Sequence, residues 1–244
     1  VTTDGDADRP LIADENGEWI RGDVAGILCA RAIGARTVVT PVSSNSAVEA
    51  CGAFSQVIRT RIGSPHVIAT MEGARIRPTA GYEANGGFLL GDAVTLEGGT
   101  LDALPTRDSL LPMLMLLTAA RRSGDHLSSL VGALPRRFTH SDRLQHVDVA
   151  ACRAMLKYLD EEEHRVAELG GGSLGRAVHA DRTDGLRLTF ESGDIVHLRL
   201  SGNAPELRCY TESESTTLAA QLCRAVLERI SQKLREPSRN PAFL

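Results

Sequence analysis

Residues 23–122 alternate short strand-like runs with helical runs, and this alternation limits the possible folds more than any other feature of the chain. The predicted elements, in order, are a helix at 23–33, a strand at 36–40, a helix at 46–53, a strand at 56–60, a helix at 65–71, strands at 80–82 and 88–90, and a helix at 107–122. This alternation of strands and helices predicts a mixed, mostly parallel sheet covered by helices.

The two ends of the chain have a different organisation. Before residue 22 the pattern predicts a strand end, an Asp-rich loop, and a hairpin with strands at 10–13 and 18–20. The later part predicts a helix at 149–168, a turn at 170–172, strands at 186–190, 195–200 and 207–212, and a helix at 215–234. The late strands favour an antiparallel sheet with helices on one face. We therefore expect an α/β protein with the remnant of one domain, one α/β domain and one α+β carboxy-terminal domain, separated near 135–148.

Composition excludes some functional classes. Apolar residues make up 42% of the chain and charged residues 24%, without an apolar run near the roughly 20 residues of a membrane helix. The net charge of -4 argues against a nucleic-acid partner, which would require a basic face. We expect neither a membrane nor a nucleic-acid role.

Cysteine usage and the first residues bear on the compartment. The five cysteines are widely spaced among apolar neighbours, which favours buried free thiols in a reducing cytoplasm. The first residues show neither an initiator methionine nor a charged segment leading into an apolar one, so no secretory signal is visible in them. Because Val1-Thr2-Thr3 resembles the end of a strand, we expect the natural protein to extend upstream.

The Asp-rich segment is a candidate metal site. Asp4, Asp6 and Asp8 alternate with the small residues Gly5 and Ala7, so the backbone can curl and bring three carboxylates together. Carboxylates this close repel one another unless a hard cation lies among them, and oxygen ligands favour magnesium, calcium or manganese.

Two alternatives remain open for this segment at the level of sequence. With Glu15 at the twelfth place, the acidic residues have the spacing of an EF-hand calcium loop, although Arg9 replaces the glycine of the sharp turn. The segment could also be a solvated acidic turn that binds no metal.

Three motifs resemble those of the α-D-phosphohexomutases, the phosphoglucomutase and phosphomannomutase superfamily. They are Asp4-Gly5-Asp6-Ala7-Asp8-Arg9, Gly81-Tyr82-Glu83-Ala84-Asn85-Gly86-Gly87, and Arg199-Leu200-Ser201-Gly202-Asn203-Ala204-Pro205 with Arg208. In that family the corresponding segments are the metal loop, the sugar loop and the phosphate loop. The resemblance assigns residues 1–21 to the end of domain 2, residues 22–134 to domain 3, and residues 148–244 to domain 4.

The resemblance implies roles for the metal-loop residues. Asp4, Asp6 and Asp8 would hold Mg2+. Arg9 would be catalytic, because an arginine beside the metal can stabilise charge on a transferring phosphoryl group. Many relatives place a histidine directly after the glycine that corresponds to Gly63; this chain has Ser64 there, and His66 is a candidate substitute.

The other two motifs imply a hexose phosphate as substrate. Glu83 would accept hydrogen bonds from O3 and O4 of the sugar, and Asn85 would add a donor or acceptor. The phosphate that is not transferred would be bound by side chains and backbone N–H groups of the third motif. The residues with this implied role are Arg199, Ser201, Gly202, Asn203 and Arg208.

The implied activity is that of an intramolecular phosphotransferase of the isomerase class. It would interconvert hexose 1-phosphate and hexose 6-phosphate through a phosphoserine enzyme and a hexose 1,6-bisphosphate intermediate. No motif resembles the phosphoserine loop, and we interpret Ser43, Ser44 and Ser46 as capping or loop residues. We therefore expect a missing amino-terminal half to carry the phosphoserine and these residues alone to be inactive. The alternative is a non-catalytic sugar-phosphate-binding protein.

Overall fold

The chain divides into two units, Val1–Arg136 and Arg137–Leu244, each with an apolar core of its own. The structure is a computed structural model that describes residues 1–162, 164–171 and 174–235. None of the helices in these ranges is long and apolar enough to cross a membrane. All five cysteines are free thiols, and four of them are buried.

The first unit contains ten strands and five helices among its described residues. In chain order they are β1 (Thr2–Thr3), β2 (Pro10–Ala13), β3 (Trp19–Ile20), α1 (Gly22–Ala32), β4 (Thr37–Pro41), α2 (Ala47–Ala50), β5 (Gln56–Thr60), α3 (Ser64–Gly73), β6 (Thr79–Tyr82), β7 (Phe88–Leu90), β8 (Val94–Leu96), β9 (Gly99–Leu101), β10 (Leu104–Asp108), α4 (Leu110–Ser123) and α5 (Leu127–Gly132).

The main sheet of this unit has the strand order β10-β7-β6-β4-β5. Strand β4 is parallel to both β5 and β6, whereas β7 is antiparallel to β6 and to β10. The predicted mixed sheet is thus confirmed. Strands β1, β2 and β3 form a separate antiparallel sheet, and β8 pairs with β9.

Both faces of the main sheet are covered, because successive side chains of a strand point to opposite faces. Val38 belongs to the core formed with α1 and α4, whereas the next residue, Val39, packs with Val67 and Met71 of α3. The carboxyl ends of the parallel strands β4, β5 and β6 meet at one edge, and the loops after them are available for a ligand.

The second unit is built from five strands and three helices among its described residues. They are β11 (Phe138–Gln145), α6 (Val149–Glu161), α7 (His164–Leu169), β12 (Ala177–Asp181), β13 (Leu186–Phe190), β14 (Ile195–Leu200), β15 (Glu206–Ser213) and α8 (Thr216–Arg235). The sheet order is β11-β15-β14-β13-β12, and every pair is antiparallel. The predicted antiparallel sheet with accompanying helices is confirmed.

Strand β14 shows how the second unit separates its core from a polar face. Val196 and Leu198 are buried in the core with residues of α6, α7 and α8. His197 and Arg199 alternate with them and therefore point to the opposite face. His197 stacks there on Tyr210 of β15, with ring centroids 5.2 Å apart.

Several element predictions were wrong in detail. Strand β10 occupies residues assigned to the start of a helix, and α4 begins only at Leu110, because the Asp108 carboxylate accepts the N–H groups of Leu110 and Leu111. Strands β11 and β12 were missed. Both lie at edges of their sheet and none of their residues is fully buried, so their sequences lack apolar alternation. The helix predicted at 149–168 is two helices, and Gly172 of the predicted turn lies outside the described residues.

Candidate functional site

The metal loop, residues 4–9, connects β1 to β2. Its backbone closes through hydrogen bonds from Asp4 N to Arg9 O (3.2 Å) and from Ala7 N to Asp4 O (3.1 Å). Ala7 adopts a left-handed conformation with φ of 59°. The curled loop brings one carboxylate oxygen each of Asp4, Asp6 and Asp8 within 4.8 Å of one another.

Two arginines accompany these carboxylates. The Arg9 guanidinium contacts Asp4 Oδ2 at 2.5 Å through Nη2, and its Nε lies 3.5 Å from Asp8 Oδ1. Arg107 Nη2 contacts the other oxygen, Asp8 Oδ2, at 2.6 Å. Asp8 Oδ1 is buried and accepts no hydrogen bond from any described residue. This loop therefore offers a cation a carboxylate oxygen that has the Arg9 guanidinium nearby but accepts no hydrogen bond from the described residues.

The EF-hand alternative is wrong, because the loop has neither the preceding helix nor the twelfth ligand. The strand β1 precedes Asp4. Glu15 lies in the β2–β3 turn, where its carboxylate accepts hydrogen bonds from the hydroxyl and the N–H of Ser128. These contacts lower the pKa of Glu15, with the Ser128 hydroxyl as the main cause.

The sugar loop, residues 81–87, begins in strand β6 and turns back into β7. Glu83 N donates to Gly87 O (2.9 Å) and Gly86 N to Glu83 O (3.0 Å), which fixes the turn. The Asn85 side-chain oxygen accepts the Gly87 N–H at 3.1 Å. Glu83 is 6% exposed, and Ser64 Oγ donates to its Oε2 at 2.6 Å.

A pocket of about 480 Å³ lies beside the sugar loop. Its lining residues come from the start of α3, the sugar loop and strand β10: Gly63, Ser64, Pro65, Ile68, Glu83, Asn85, Thr106 and Arg107. Such a volume is in the range of small-molecule sites. Ser64 lines this pocket, whereas His66 is exposed on α3.

Arg107 links the pocket to the metal loop and was missed by the sequence analysis. It lines the pocket while its guanidinium contacts Asp8. Its side chain crosses the sugar loop at Gly87, where an added Cβ would approach Arg107 Cδ to 2.8 Å. No local pattern marked Arg107 as a site residue, because the sequence analysis places it in the first turn of a helix.

The phosphate loop, residues 199–205, connects β14 to β15 in the second unit. Ser201 N donates to Glu206 O (2.9 Å) across the strand ends, and Asn203 N approaches the Ser201 hydroxyl at 3.4 Å. Gly202 lies at the tip, and Arg199 and Arg208 are cross-strand partners. Side chains directly opposite in an antiparallel pair lie on the same face, so both guanidinium groups belong to the polar face of the sheet.

Two acidic residues balance these arginines. Asp184 Oδ2 lies 3.4 Å from Arg199 Nε, and Glu206 Oε2 accepts from Arg208 Nη2 at 3.2 Å. Arg143, the cross-strand partner of Arg208 on β11, is 3.3 Å from Glu206 Oε1. Desolvation acts to raise the pKa of Glu206, but contacts with Gln145, Arg208 and Arg143 lower it overall.

His197 is a buried neutral imidazole behind Arg199. It is 1% exposed, and its Nε2 lies 2.6 Å from Asp184 O, so this nitrogen must carry the proton and donate. Burial lowers the pKa of His197 to about 4, and the charges of Arg187 and Arg199 act in the same direction. The Asp184 carbonyl and carboxylate oppose this shift only in part.

The buried imidazole predicts a pH-dependent stability of the second unit. An unfolded chain binds a proton to this histidine near pH 6.5, whereas the folded unit does so only near pH 4. The free energy of unfolding should therefore fall by about 2–3 kcal/mol as the pH drops from 7 to 4. Denaturation of the parent and of His197→Gln at both pH values measures this, and the loss should shrink in the variant. Equal losses in the two proteins would contradict the prediction.

Two family models match the chain. Residues 21–138 match the model described as phosphoglucomutase/phosphomannomutase, alpha/beta/alpha domain III, and residues 152–229 match the phosphoglucomutase/phosphomannomutase C-terminal domain. The phosphomannomutase of Salmonella muenchen is 45% identical over 235 residues, covering 96% of this chain and 49% of that protein. The phosphomannomutase of Sinorhizobium fredii is 43% identical over 225 residues, covering 91% and 47%. The chain thus spans about half the length of these relatives.

Solved structures share the fold. A phosphoglucomutase/phosphomannomutase family protein from Burkholderia thailandensis superposes with a TM-score of 0.68 at 19% identity, covering 96% of this chain and 46% of that one. The N-acetylphosphoglucosamine mutase of Aspergillus fumigatus, solved with GlcNAc-6P and magnesium, gives a TM-score of 0.61 at 16% identity, covering 93% and 51%. With both domain models matched in order, the chain belongs to the phosphoglucomutase/phosphomannomutase family, the α-D-phosphohexomutases.

Proposed function

We propose that this chain is the metal- and substrate-binding half of a phosphohexomutase that interconverts hexose 1-phosphate and hexose 6-phosphate. The observation that carries the proposal lies within the first unit. Three carboxylates converge within 4.8 Å, and Arg107 connects one of them to the pocket that contains Glu83 and Asn85. A cation site and a polar sugar-sized pocket are thereby joined by one side chain.

The metal loop fits magnesium by its chemistry. Asp4, Asp6 and Asp8 offer only oxygen ligands, and the buried Asp8 Oδ1 accepts no hydrogen bond from the described residues. Bound there, Mg2+ would neutralise charge on a phosphoryl group and favour its transfer. When Asp4 and Asp8 serve as ligands, Arg9 can turn from them to the phosphoryl oxygens.

The sugar loop would select the hexose. Glu83 is a buried carboxylate oriented by Ser64, so its second oxygen can accept hydrogen bonds from adjacent sugar hydroxyls such as O3 and O4. Asn85 would add one more contact. This recognition does not involve C2 and would accept glucose and mannose alike.

The phosphate loop would bind the phosphate that is not transferred. Arg199, Arg208, Ser201 and the backbone N–H groups at Gly202 and Asn203 form a set of donors on one face of the second unit. Remote binding energy of this kind serves to align the reacting end of the substrate. Positioning and charge stabilisation supply most of the catalysis in phosphoryl transfer.

The nucleophile belongs, in our proposal, to an amino-terminal half with a phosphoserine. The phosphoserine would phosphorylate the bound sugar to hexose 1,6-bisphosphate and receive the other phosphoryl group back. The coverage of about half of each relative supports this division. Ser44, at 2% exposure and hydrogen-bonded to Thr40, is unsuited to the role. The free buried thiols favour a reducing cytoplasm as the compartment.

Glu83 provides a test of sugar recognition. Glu83→Gln should bind mannose 6-phosphate about tenfold more weakly, because hydrogen bonds to a charged acceptor are replaced by weaker ones to a neutral amide. Its affinity for inorganic phosphate should not change. Isothermal titration with both ligands measures the two effects, and Glu97→Gln, at an exposed glutamate of the same unit, is the matched control. Equal weakening for phosphate and for mannose 6-phosphate would speak against a sugar-specific role.

A further inference from the structure

The turn between β12 and β13, residues 182–185, packs directly against the end of β14. Gly185 has a φ of 93°, and a Cβ added there would approach Leu198 O to 2.3 Å and Arg199 Cβ to 2.7 Å. Only glycine allows the turn backbone to lie this close to Arg199. The turn and the arginine are thus brought together by the backbone itself.

A second contact fixes Asp184 in this turn. His197 Nε2 donates to the Asp184 carbonyl at 2.6 Å, and the imidazole is held by its stacking on Tyr210. His197 and Arg199 lie on the same face of β14, so the turn covers both. The backbone of Asp184 therefore has a defined position relative to Arg199.

The Asp184 side chain completes the arrangement. Its Oδ2 lies 3.4 Å from Arg199 Nε, and the Arg199 and Asp184 side chains are only 13% and 20% exposed. Arg199 Nε is buried and donates no hydrogen bond to the described residues, so the carboxylate is its charge partner. A guanidinium held at Nε still presents its two Nη groups as a planar pair of donors, the geometry that suits two phosphate oxygens.

We propose that Asp184 is a positioning residue for the phosphate loop: it holds Arg199 so that the guanidinium faces the substrate phosphate with both Nη groups. This inference rests on the proposed phosphate-binding function of Arg199. The turn at residues 182–185 then contributes to phosphate binding through Arg199.

If only the charge of Asp184 mattered, removing it would strengthen phosphate binding and not weaken it. A carboxylate near the site repels a dianionic phosphate, so removing its charge would tighten binding if orientation were unimportant. Arg199 has several rotatable bonds, and fixing them before binding reduces the entropy cost of binding. The direction of the effect therefore distinguishes positioning from simple charge.

Phosphate titrations of Asp184→Asn test the proposal. The variant should bind inorganic phosphate and mannose 6-phosphate about tenfold more weakly, the effect of losing alignment of one charge-assisted contact. In an Arg199→Lys background, which lacks the planar pair of donors, adding Asp184→Asn should change affinity less than about twofold. Unchanged or tighter binding by Asp184→Asn, or an equal loss in the lysine background, would overturn the proposal.

Asp181→Asn is the matched control, because Asp181 belongs to the same hairpin and accepts the Thr183 N–H at 2.8 Å. It should keep the parental affinity; a loss equal to that of Asp184→Asn would show that only hairpin integrity matters and would overturn the positioning role. Arg199→Ala distinguishes failure of the proposed phosphate-binding function from failure of the role of Asp184. If Arg199→Ala binds phosphate as the parent does, the phosphate-binding function itself is wrong. If Arg199→Ala loses binding and Asp184→Asn does not, only the role of Asp184 is wrong.

Discussion

An Arg199→Ala variant should lose at least about 100-fold in affinity for inorganic phosphate and for mannose 6-phosphate. Two charge-assisted hydrogen bonds to a dianion disappear with the guanidinium, and each contributes about 1.5–3 kcal/mol. The site is partly shielded from water, since the Arg199 side chain is only 13% exposed. Isothermal titration at constant ionic strength measures the loss, because phosphate binding depends on salt.

Arg176→Ala is the control that tests whether losing any positive charge of this unit weakens phosphate binding. Its side chain belongs to the same unit, is 81% exposed, and pairs with Glu191 at 3.3 Å. Removing it lowers the net charge by the same amount and should change phosphate affinity less than about twofold. If Arg176→Ala and Arg199→Ala weaken binding equally, the phosphate loop is not a specific site.

An Asp6→Asn variant should lose at least about 100-fold in affinity for Mg2+, because the site would keep only two charged ligands. Asp6 is the best position for this test, because no ion pair with any arginine that the structure describes complicates the result there. Asp4 and Asp8 also pair with Arg9 and Arg107, so changing them would disturb the loop for a second reason. Titration with Mg2+, or with Mn2+ followed by electron paramagnetic resonance, measures the affinity.

Asp102→Asn is the matched control in the same unit, at an exposed aspartate between β9 and β10. It should leave Mg2+ binding unchanged. Parental affinity in Asp6→Asn would show that the three carboxylates form a solvated acidic turn, the remaining alternative for this segment.

The sequence predicted the two sheets because their central strands carry clear patterns. Strand β4 is β-branched and buried on both faces, as a strand covered on both sides is, and β14 alternates core and polar residues. The edge strands β11 and β12 have no such pattern, since water covers much of them. Strand β11 is placed by pairing with β15, which is distant in the chain, and β12 by a hairpin with β13; apolar periodicity within a single strand reports neither pairing.

Some residues of the candidate site could likewise be predicted from the sequence, and others could not. The motifs gave Asp4, Glu83 and Arg199 because residue type and spacing are local. Arg107 and Asp184 came only from the structure, since each acts on a residue far away in sequence: Arg107 on Asp8, and Asp184 on Arg199. Long-range ion pairs of this kind leave no signature in a single sequence.

The central claim is that this chain binds the substrate while the phosphoserine lies in another segment. The most direct test is an assay of mannose 1-phosphate conversion by these 244 residues, with Mg2+ and a trace of hexose 1,6-bisphosphate. The same sample is titrated with mannose 6-phosphate. Our account predicts measurable binding without turnover above the protein-free blank, because the chain holds the substrate while the phosphoserine lies elsewhere. Turnover by this chain alone would place a nucleophile within it and contradict the account, as would a folded sample that binds no sugar phosphate.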